Sequence, residues 1–326
     1  MEKGRRREKA RAAIAALALF ALAGAASGQY PAHPVRFIVP SAVGGGTDII
    51  ARAIALKLGE SLGQQYLVDN RPGAGQMIGI ELAAKSPADG YTILMAASTL
   101  AINPIMYKKV PYDPVRDFAP ITQAATLPNV LVVHPSLPVK SVAELIAYAK
   151  AHPGQLNFAS AGIGTSPQMS IELLKSMAGI DMVHIPYKGT APGVVDVLAG
   201  QVLVMAPNVL TALPHIKSGK LRALAVTSVR RSEALPGVPT VAEAGVPGYD
   251  STQWYGVLAP AGTQREIVAR LHDEIARALR DADVGKRLAA DGAEPVGSSP
   301  EEFAAFIKSE SEKWARVAKA AGIQPE

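Results

Sequence analysis

The chain has 326 residues, of which 48% are hydrophobic and none is cysteine. One large or two moderate domains fit that length, and disulfides, thiolate catalysis, iron–sulfur clusters, cysteine-ligated zinc and a lipidated cysteine anchor are excluded. The formal charge of +5 is concentrated at the start: residues 1–28 hold six basic and two acidic side chains, leaving 27 basic against 26 acidic in the remainder, so no nucleic-acid partner is expected.

The elements follow in chain order. Residues 1–28 read as a secretory signal peptide: Arg5–Arg7 and Lys9 precede the apolar run Ala12–Ala26, with small residues at Ala26 and Gly28 as alternative cleavage points. About fifteen apolar residues fall short of the roughly 20 needed to span a bilayer, so an exported chain that is not membrane-embedded is expected, in the periplasm. Val35–Pro40 reads as a buried strand, and a helix is predicted from Thr47 to Leu62. The strand "QYLVDN", the helix "GQMIGIELAAKS" and the strand Tyr91–Ser98 follow. A second unit starts at the strand "NVLVVHP". Next comes a helix capped by Ser141 with Glu144 at the capping-box position, then "LNFASAGIGTSPQMSIELLKSMAG", again strand, glycine turn and helix. After "MVHIPYKG", the short helix "GVVDVLAGQ", "VLVMAPN" and "LRALAVTS", the segment "STQWYGVLAPAG" runs back, and three helices over 264–279, 283–290 and 300–321 close the chain. Strands alternating with helices predict an α/β fold with mostly parallel sheets. The proline-rich stretches near 104–128 and 236–253 read as two crossings between lobes. Lobe 1 is then residues 29–128 plus 252–326, lobe 2 is residues 129–251, and a hinge and cleft lie between them.

Each lobe carries one strand, a turn of small residues, and a helix start: "PSAVGGGTD" in the first, "SAGIGTSP" in the second. A helix N-terminus has orphan N–H groups and roughly +0.5 of dipole charge, and small residues let an anion approach them. Glycine in either turn also has a purely steric reading. Asp48 reads as a helix cap or first-turn dipole partner, with contact to a ligand ammonium as the alternative.

Seven segments together resemble the Bug family of periplasmic receptors, the solute-binding components of tripartite tricarboxylate transporters. They include "VPSAVGGGTDIIAR", "NRPGAGQMIGIELAAKSPADGYTILM", "SAGIGTSPQMSIELLK", "HIPYKGTAPGVVDVLAGQV" and "PGVPTVAEAGVPGYDSTQWYGVLAPAG". The resemblance covers nearly the whole mature chain. It implies a two-lobe, type II-like Venus-flytrap fold, and a small carboxylate ligand: a dicarboxylate or tricarboxylate, an acidic amino acid or an aromatic acid. It also implies delivery to the membrane components of the transporter. Carried onto this chain, the contacts expected are Ser41, Ala42, Gly45, Gly46 and Thr47 from the first turn and Ser160, Ala161, Gly162, Gly164 and Thr165 from the second. Ser98, Thr99, Asn103 and Asn208 are expected to face the same cleft. The chain departs from the family pattern at Ser41 and Val43, and at Gln76, Leu100 and Gln168, where the family often has glycine, histidine and histidine respectively.

Other patterns carry less. "GAGQMIG" (73–79) has dinucleotide-loop spacing, but an Arg–Pro pair intervenes and no acidic residue ends the next strand, so a structural turn is expected. The six histidines are scattered, with no i, i+4 pair on a helix, so neither metal nor cofactor is expected. Lys188 is either a solvated turn lysine or a contact to an acidic ligand, and Trp254 and Tyr255 either pack the hinge or touch ligand. The reading is therefore a monomeric binding protein with no catalytic residues. A sensor for a signalling partner, or an exported enzyme acting on a carboxylic acid, are the alternatives.

Overall fold

A computed structural model describes residues 30–41, 43–44, 46–187, 189–290, 292–320 and 322–325. The leader, Ala42, Gly45 and Lys188 lie outside the described residues. Val35–Val39 (β1) is apolar on both faces because helices cover both: Val35, Phe37 and Val39 join one core cluster and Ile38 joins another. β1 pairs in parallel with Tyr66–Asn70 (β2) and Thr92–Ala97 (β3). Gly46–Leu62 (α1), Arg265–Leu279 (α8) and Ala282–Ala290 (α9) pack on the first face. Met77–Ala84 (α2), Thr99–Met106 (α3) and the start of Pro300–Ala320 (α10) pack on the second. The sheet is completed by Phe118–Pro128 (β4), Thr252–Pro260 (β10) and Glu294–Pro295 (β11), in the order β11-β4-β10-β3-β1-β2.

The second sheet has the order β7-β6-β8-β5-β9 and contains Val130–Val133 (β5), Asn157–Ser160 (β6), Val183–Pro186 (β7), Val204–Met205 (β8) and Arg222–Val226 (β9). Val142–Ala151 (α4) and Ser166–Ala178 (α5) cover one face, while Thr190–Leu198 (α6) and Val209–Lys217 (α7) cover the other. Two sheets flanked by helices make a two-lobe α/β molecule.

The sheets are mixed, which corrects the expectation of mostly parallel ones. Each lobe keeps a parallel trio, β2-β1-β3 and β7-β6-β8, but the strand beside each trio arrives from the other lobe and runs antiparallel: β10 against β3, and β5 against β8. A chain returning from the opposite lobe enters the sheet from the carboxyl side of its strands, so antiparallel pairing needs no further crossover. The stretch 104–128, read as a joint, ends in the eleven-residue strand β4.

Two helices join the lobes. On α3, Leu100 and Ala101 pack in the first lobe's core, whereas Ile102 and Met106 pack in the second's. On α10, Phe303 and Ile307 belong to the first core, and Trp314 and Val317 to the second. Between these halves the buried Glu310 accepts the indole N–H of Trp254 (3.3 Å) and of Trp314 (2.9 Å) and pairs with Lys313. Both tryptophans of the chain therefore meet one carboxylate where the lobes adjoin. Trp254 is wholly buried there, which selects the packing alternative for it.

Candidate functional site

In open α/β sheets, ligands bind beyond the carboxyl ends of the strands. Here those ends point at each other across the lobes, and a cavity of about 430 Å3 lies between them. That volume is within the roughly 300–1,000 Å3 of small-molecule sites. Ser41 follows β1, Gln76 follows β2, Ser98 and Thr99 follow β3, Ala161 follows β6, and Asn208 follows β8; all line the cavity. Gly46, Thr47, Thr165, Ser166, Thr190, Thr211, Gln253 and Tyr255 line it too, with Ile49, Ile50, Ala97, Leu127 and Ala293 as apolar wall. Among the described residues, no Asp, Glu, Lys, Arg or His lines it.

Five helices start at this cavity: α1 at Gly46, α3 at Thr99, α5 at Ser166, α6 at Thr190 and α7 at Val209. Three of them, α3, α5 and α6, have no side-chain cap on their first-turn N–H groups. Away from the cavity, α4 is capped conventionally, with Ser141 Oγ accepting from Glu144 N–H at 3.1 Å. Of the four starts at Thr99, Ser166, Thr190 and Val209, the last, α7, spends a side chain on itself, Asn208 Oδ1 accepting from Thr211 N–H at 2.9 Å. Open donors and aligned dipoles, each equivalent to roughly +0.5 charge, thus face one neutral space. Ser41 Oγ is buried and has no hydrogen-bond partner among the described residues.

Asp48 does not line the cavity. It is 2% exposed and turns back into its own loop. Oδ2 accepts from Gly44 N–H (2.9 Å) and Arg52 Nε (3.0 Å), while Oδ1 accepts from Asn70 Nδ2 (3.0 Å), which also donates to Ser41 O (3.0 Å). Burial alone would raise its pKa, but Arg52, the Gly44 N–H and Asn70 outweigh it and hold the carboxyl below its ordinary range. Asp48 thus binds the Gly44 N–H ahead of the helix and braces the turn from behind, leaving the front of the helix start open.

Gly46 is required by a close approach. A Cβ there would lie 2.6 Å from Tyr255 Oη. Tyr255, 3% exposed, accepts from Gln253 Nε2 at 2.9 Å, and burial pushes its phenol pKa up, so it stays a neutral hydroxyl. Tyr255 therefore lines the cavity while Trp254, its neighbour, does not.

Four expected contacts do not reach the cavity wall. Ser160 is fully buried behind it: its Oγ accepts from Gly162 N–H at 3.0 Å and lies 2.6 Å from His184 Nε2. Gly162 (φ 125°) and Gly164 (φ 73°) shape the turn itself. Gly164 packs toward Met106 and Ile102 of α3, and its N–H donates to Gln168 Oε1 at 2.8 Å. Asn103 Nδ2 donates to Gly75 O at 2.9 Å, so it anchors the 73–76 turn. Ala42 and Gly45 lie outside the described residues. Burial, and then Lys175, lower the His184 pKa to about 4, so this imidazole is neutral. Reading the sequence alone missed Gln76, Thr190, Thr211 and Gln253; a helix start after "YKG" was the available signal for Thr190. Arg71 pairs with Asp69 at 2.9 Å. No group of three or more potential metal ligands occurs among the described residues, and no helix among them is long and apolar enough to cross a membrane.

Residues 50–323 match the model of the tripartite tricarboxylate transporter family receptor. The chain is 41% identical to Protein BugT of Bordetella pertussis over 297 residues, 90% of this chain and 91% of that one. Among solved structures it resembles R. palustris Rpa4515 with adipate (40% identity, TM-score 0.81, 91% of this chain and all of that one). It also resembles MatC from Rhodopseudomonas palustris with bound malate (32% identity, TM-score 0.76, 88% and 99%). On this match across most of its length, the chain belongs to the Bug-type receptor family of tripartite tricarboxylate transporters.

Proposed function

We propose that this receptor binds a small carboxylate, foremost a dicarboxylate, in the cavity between its lobes, and delivers it in the periplasm to the membrane components of a tripartite tricarboxylate transporter. The carrying observation is the convergence of five helix starts, three of them without side-chain caps, on a cavity lined by neutral residues. Small anions, carboxylates among them, are the ligands such donors hold. The apolar wall of Ile49, Ile50, Leu127 and Ala293 suits a short hydrocarbon chain between two acid groups. The relatives that carry adipate and malate support the same class.

The contacts proposed are Ser41, Gly46, Thr47, Ser98, Thr99, Ala161, Thr165 and Asn208, with Thr190, Thr211 and Tyr255 added. The lobe boundaries proposed are 128/129 and 251/252, supported by the change of sheet between β4 and β5 and between β9 and β10. Closure draws its energy from ligand contacts that bridge the lobes, because only differential affinity shifts such an equilibrium. No reaction is proposed, since the described residues of the cavity wall offer hydroxyls and amides rather than a general acid–base pair.

A thermal-shift screen with four- to eight-carbon dicarboxylates, tricarboxylates, acidic amino acids and aromatic acids tests the reading. A ligand at 100 times its Kd stabilises the folded state by about 2.7 kcal/mol. A flat response to every carboxylate overturns it.

A further inference from the structure

The four residues Gly73, Ala74, Gly75 and Gln76 all have positive φ, of 128°, 46°, 62° and 75°. Glycine occupies that region freely, whereas an L side chain meets its own backbone there. A strained residue persists where its surroundings hold it, and such residues gather at ligand sites. Gln76 is the one of the four that lines the cavity.

We propose that Gln76 is a specificity-determining residue: its Nε2 donates to one carboxylate of a dicarboxylate seated at the start of α3, so the receptor separates a dicarboxylate from the monocarboxylate of equal length. The inference rests on the carboxylate reading above and deepens it. Three observations carry it. The amide is oriented: Thr99 Oγ1 donates to Gln76 Oε1 at 2.6 Å, which occupies the oxygen and leaves the NH2 group as the free polar face. No hydrogen bond engages Nε2 among the described residues. The turn is also fixed to the same helix, because Asn103, one helical turn beyond Thr99, holds Gly75 O at 2.9 Å. Finally, α3 starts at this point without a side-chain cap, so its first N–H groups and the Gln76 amide address one place. With no cationic side chain among the described lining residues, a carboxylate at the first lobe must be met by neutral donors. The helix starts of the second lobe remain for the other carboxylate.

The test is isothermal titration calorimetry of the wild type and of Gln76→Gly, Gln76→Glu and Thr99→Val with two probes, adipate and hexanoate. Gln76→Gly keeps the fold, since glycine adopts φ 75° without strain, and melting curves check it. A hydrogen bond to a charged group is worth enough that its loss should weaken adipate about tenfold or more, while hexanoate changes by less than about threefold. Gln76→Glu places a carboxylate against the ligand's and weakens adipate further still. Thr99→Val frees the amide to rotate and gives an intermediate loss for adipate alone. Equal losses for both acids in Gln76→Gly, or unchanged adipate binding, overturn the role of Gln76. Adipate binding to Gln76→Glu as tight as wild type does so as well, because position 76 would then supply no donor to the ligand's carboxylate. If the wild type binds adipate and Gln76→Gly still discriminates it from hexanoate as the wild type does, the carboxylate reading stands without this role. If the wild type binds neither adipate nor any other dicarboxylate, that reading itself falls and the proposal with it.

Discussion

Replacing Gly46 by alanine puts a Cβ 2.6 Å from Tyr255 Oη and 3.3 Å from its Cζ. The first distance is inside the van der Waals limit, so something must move. Tyr255 cannot withdraw easily. It sits on β10 paired with Ala97 of β3 on one side and Ala125 of β4 on the other, and it is 3% exposed. Swinging the ring would also break its bond from Gln253. Overpacking of this kind costs about 1–3 kcal/mol, with roughly 0.5–1.5 kcal/mol more if the hydrogen bond is lost. Urea denaturation should therefore show Gly46→Ala with a lower midpoint and an unchanged slope. Ligand affinity should fall by about tenfold for each 1.4 kcal/mol that displacement of the α1 start removes from binding. The diagnostic variant is Tyr255→Phe, which deletes the offending oxygen and leaves only the 3.3 Å contact. In a double-mutant cycle, Gly46→Ala should be partly rescued in the Tyr255→Phe background, with a coupling of about 1–2 kcal/mol. Additivity within about 0.5 kcal/mol would refute the clash as the reason for glycine at this position.

Three further outcomes follow from the same geometry. His184 titrates near 4 in the folded state against an ordinary 6.5; the unfolded chain binds the proton more readily, so stability is full above pH 6.5, falls toward pH 4 by up to about 3 kcal/mol, and flattens in His184→Gln, which urea midpoints across that range will check. Asp48→Ala leaves the Gly44 N–H without its acceptor, takes the carboxylate from Arg52 and leaves the Asn70 amide with Ser41 O alone. It should cost about 1–3 kcal/mol of unfolding free energy and, because the turn loosens, weaken the ligand found in the thermal-shift screen. A calorimetric affinity equal to wild type would contradict its bracing role. Glu310→Ala strands two buried indole N–H groups and Lys313 between the lobes, for a loss of roughly 3–5 kcal/mol. Since both tryptophans report from that spot, its unfolding curve followed by fluorescence should shift together with circular dichroism.

The opening glycine turn and its counterpart at 160–165 were legible in the sequence, as was the alternation of strands and helices, because both rest on local rules: apolar runs bounded by glycine, small residues before a helix start, proline in a first turn. Family resemblance was legible for the same reason, since it is carried by contiguous segments. Helices α3 and α7 were not legible. Each has an interior proline, Pro104 and Pro214, which argues against a helix locally; burial of Leu100, Ile102 and Met106 in one and Val209 and Ala212 in the other outweighs that cost. Both of those helices start at the cavity, so the local reading found two of its five helix starts as anion-facing turns and misjudged the neighbours. Asn103 and Ser160 show the same limit: type and position suggested ligand contacts, yet their partners, Gly75 O and His184, lie 28 and 24 residues away.

The sequence by itself determined that each lobe would contain a strand, a side-chain-poor turn and a helix start, because backbone conformation and capping act over four or five neighbouring residues. Only the tertiary structure decided which helix starts face one cavity, that Asp48 points away from it, and that Gln76 points in. Those outcomes depend on strands arriving from the opposite lobe and on contacts between residues far apart in the chain, and no local pattern encodes the direction in which a side chain meets a distant partner.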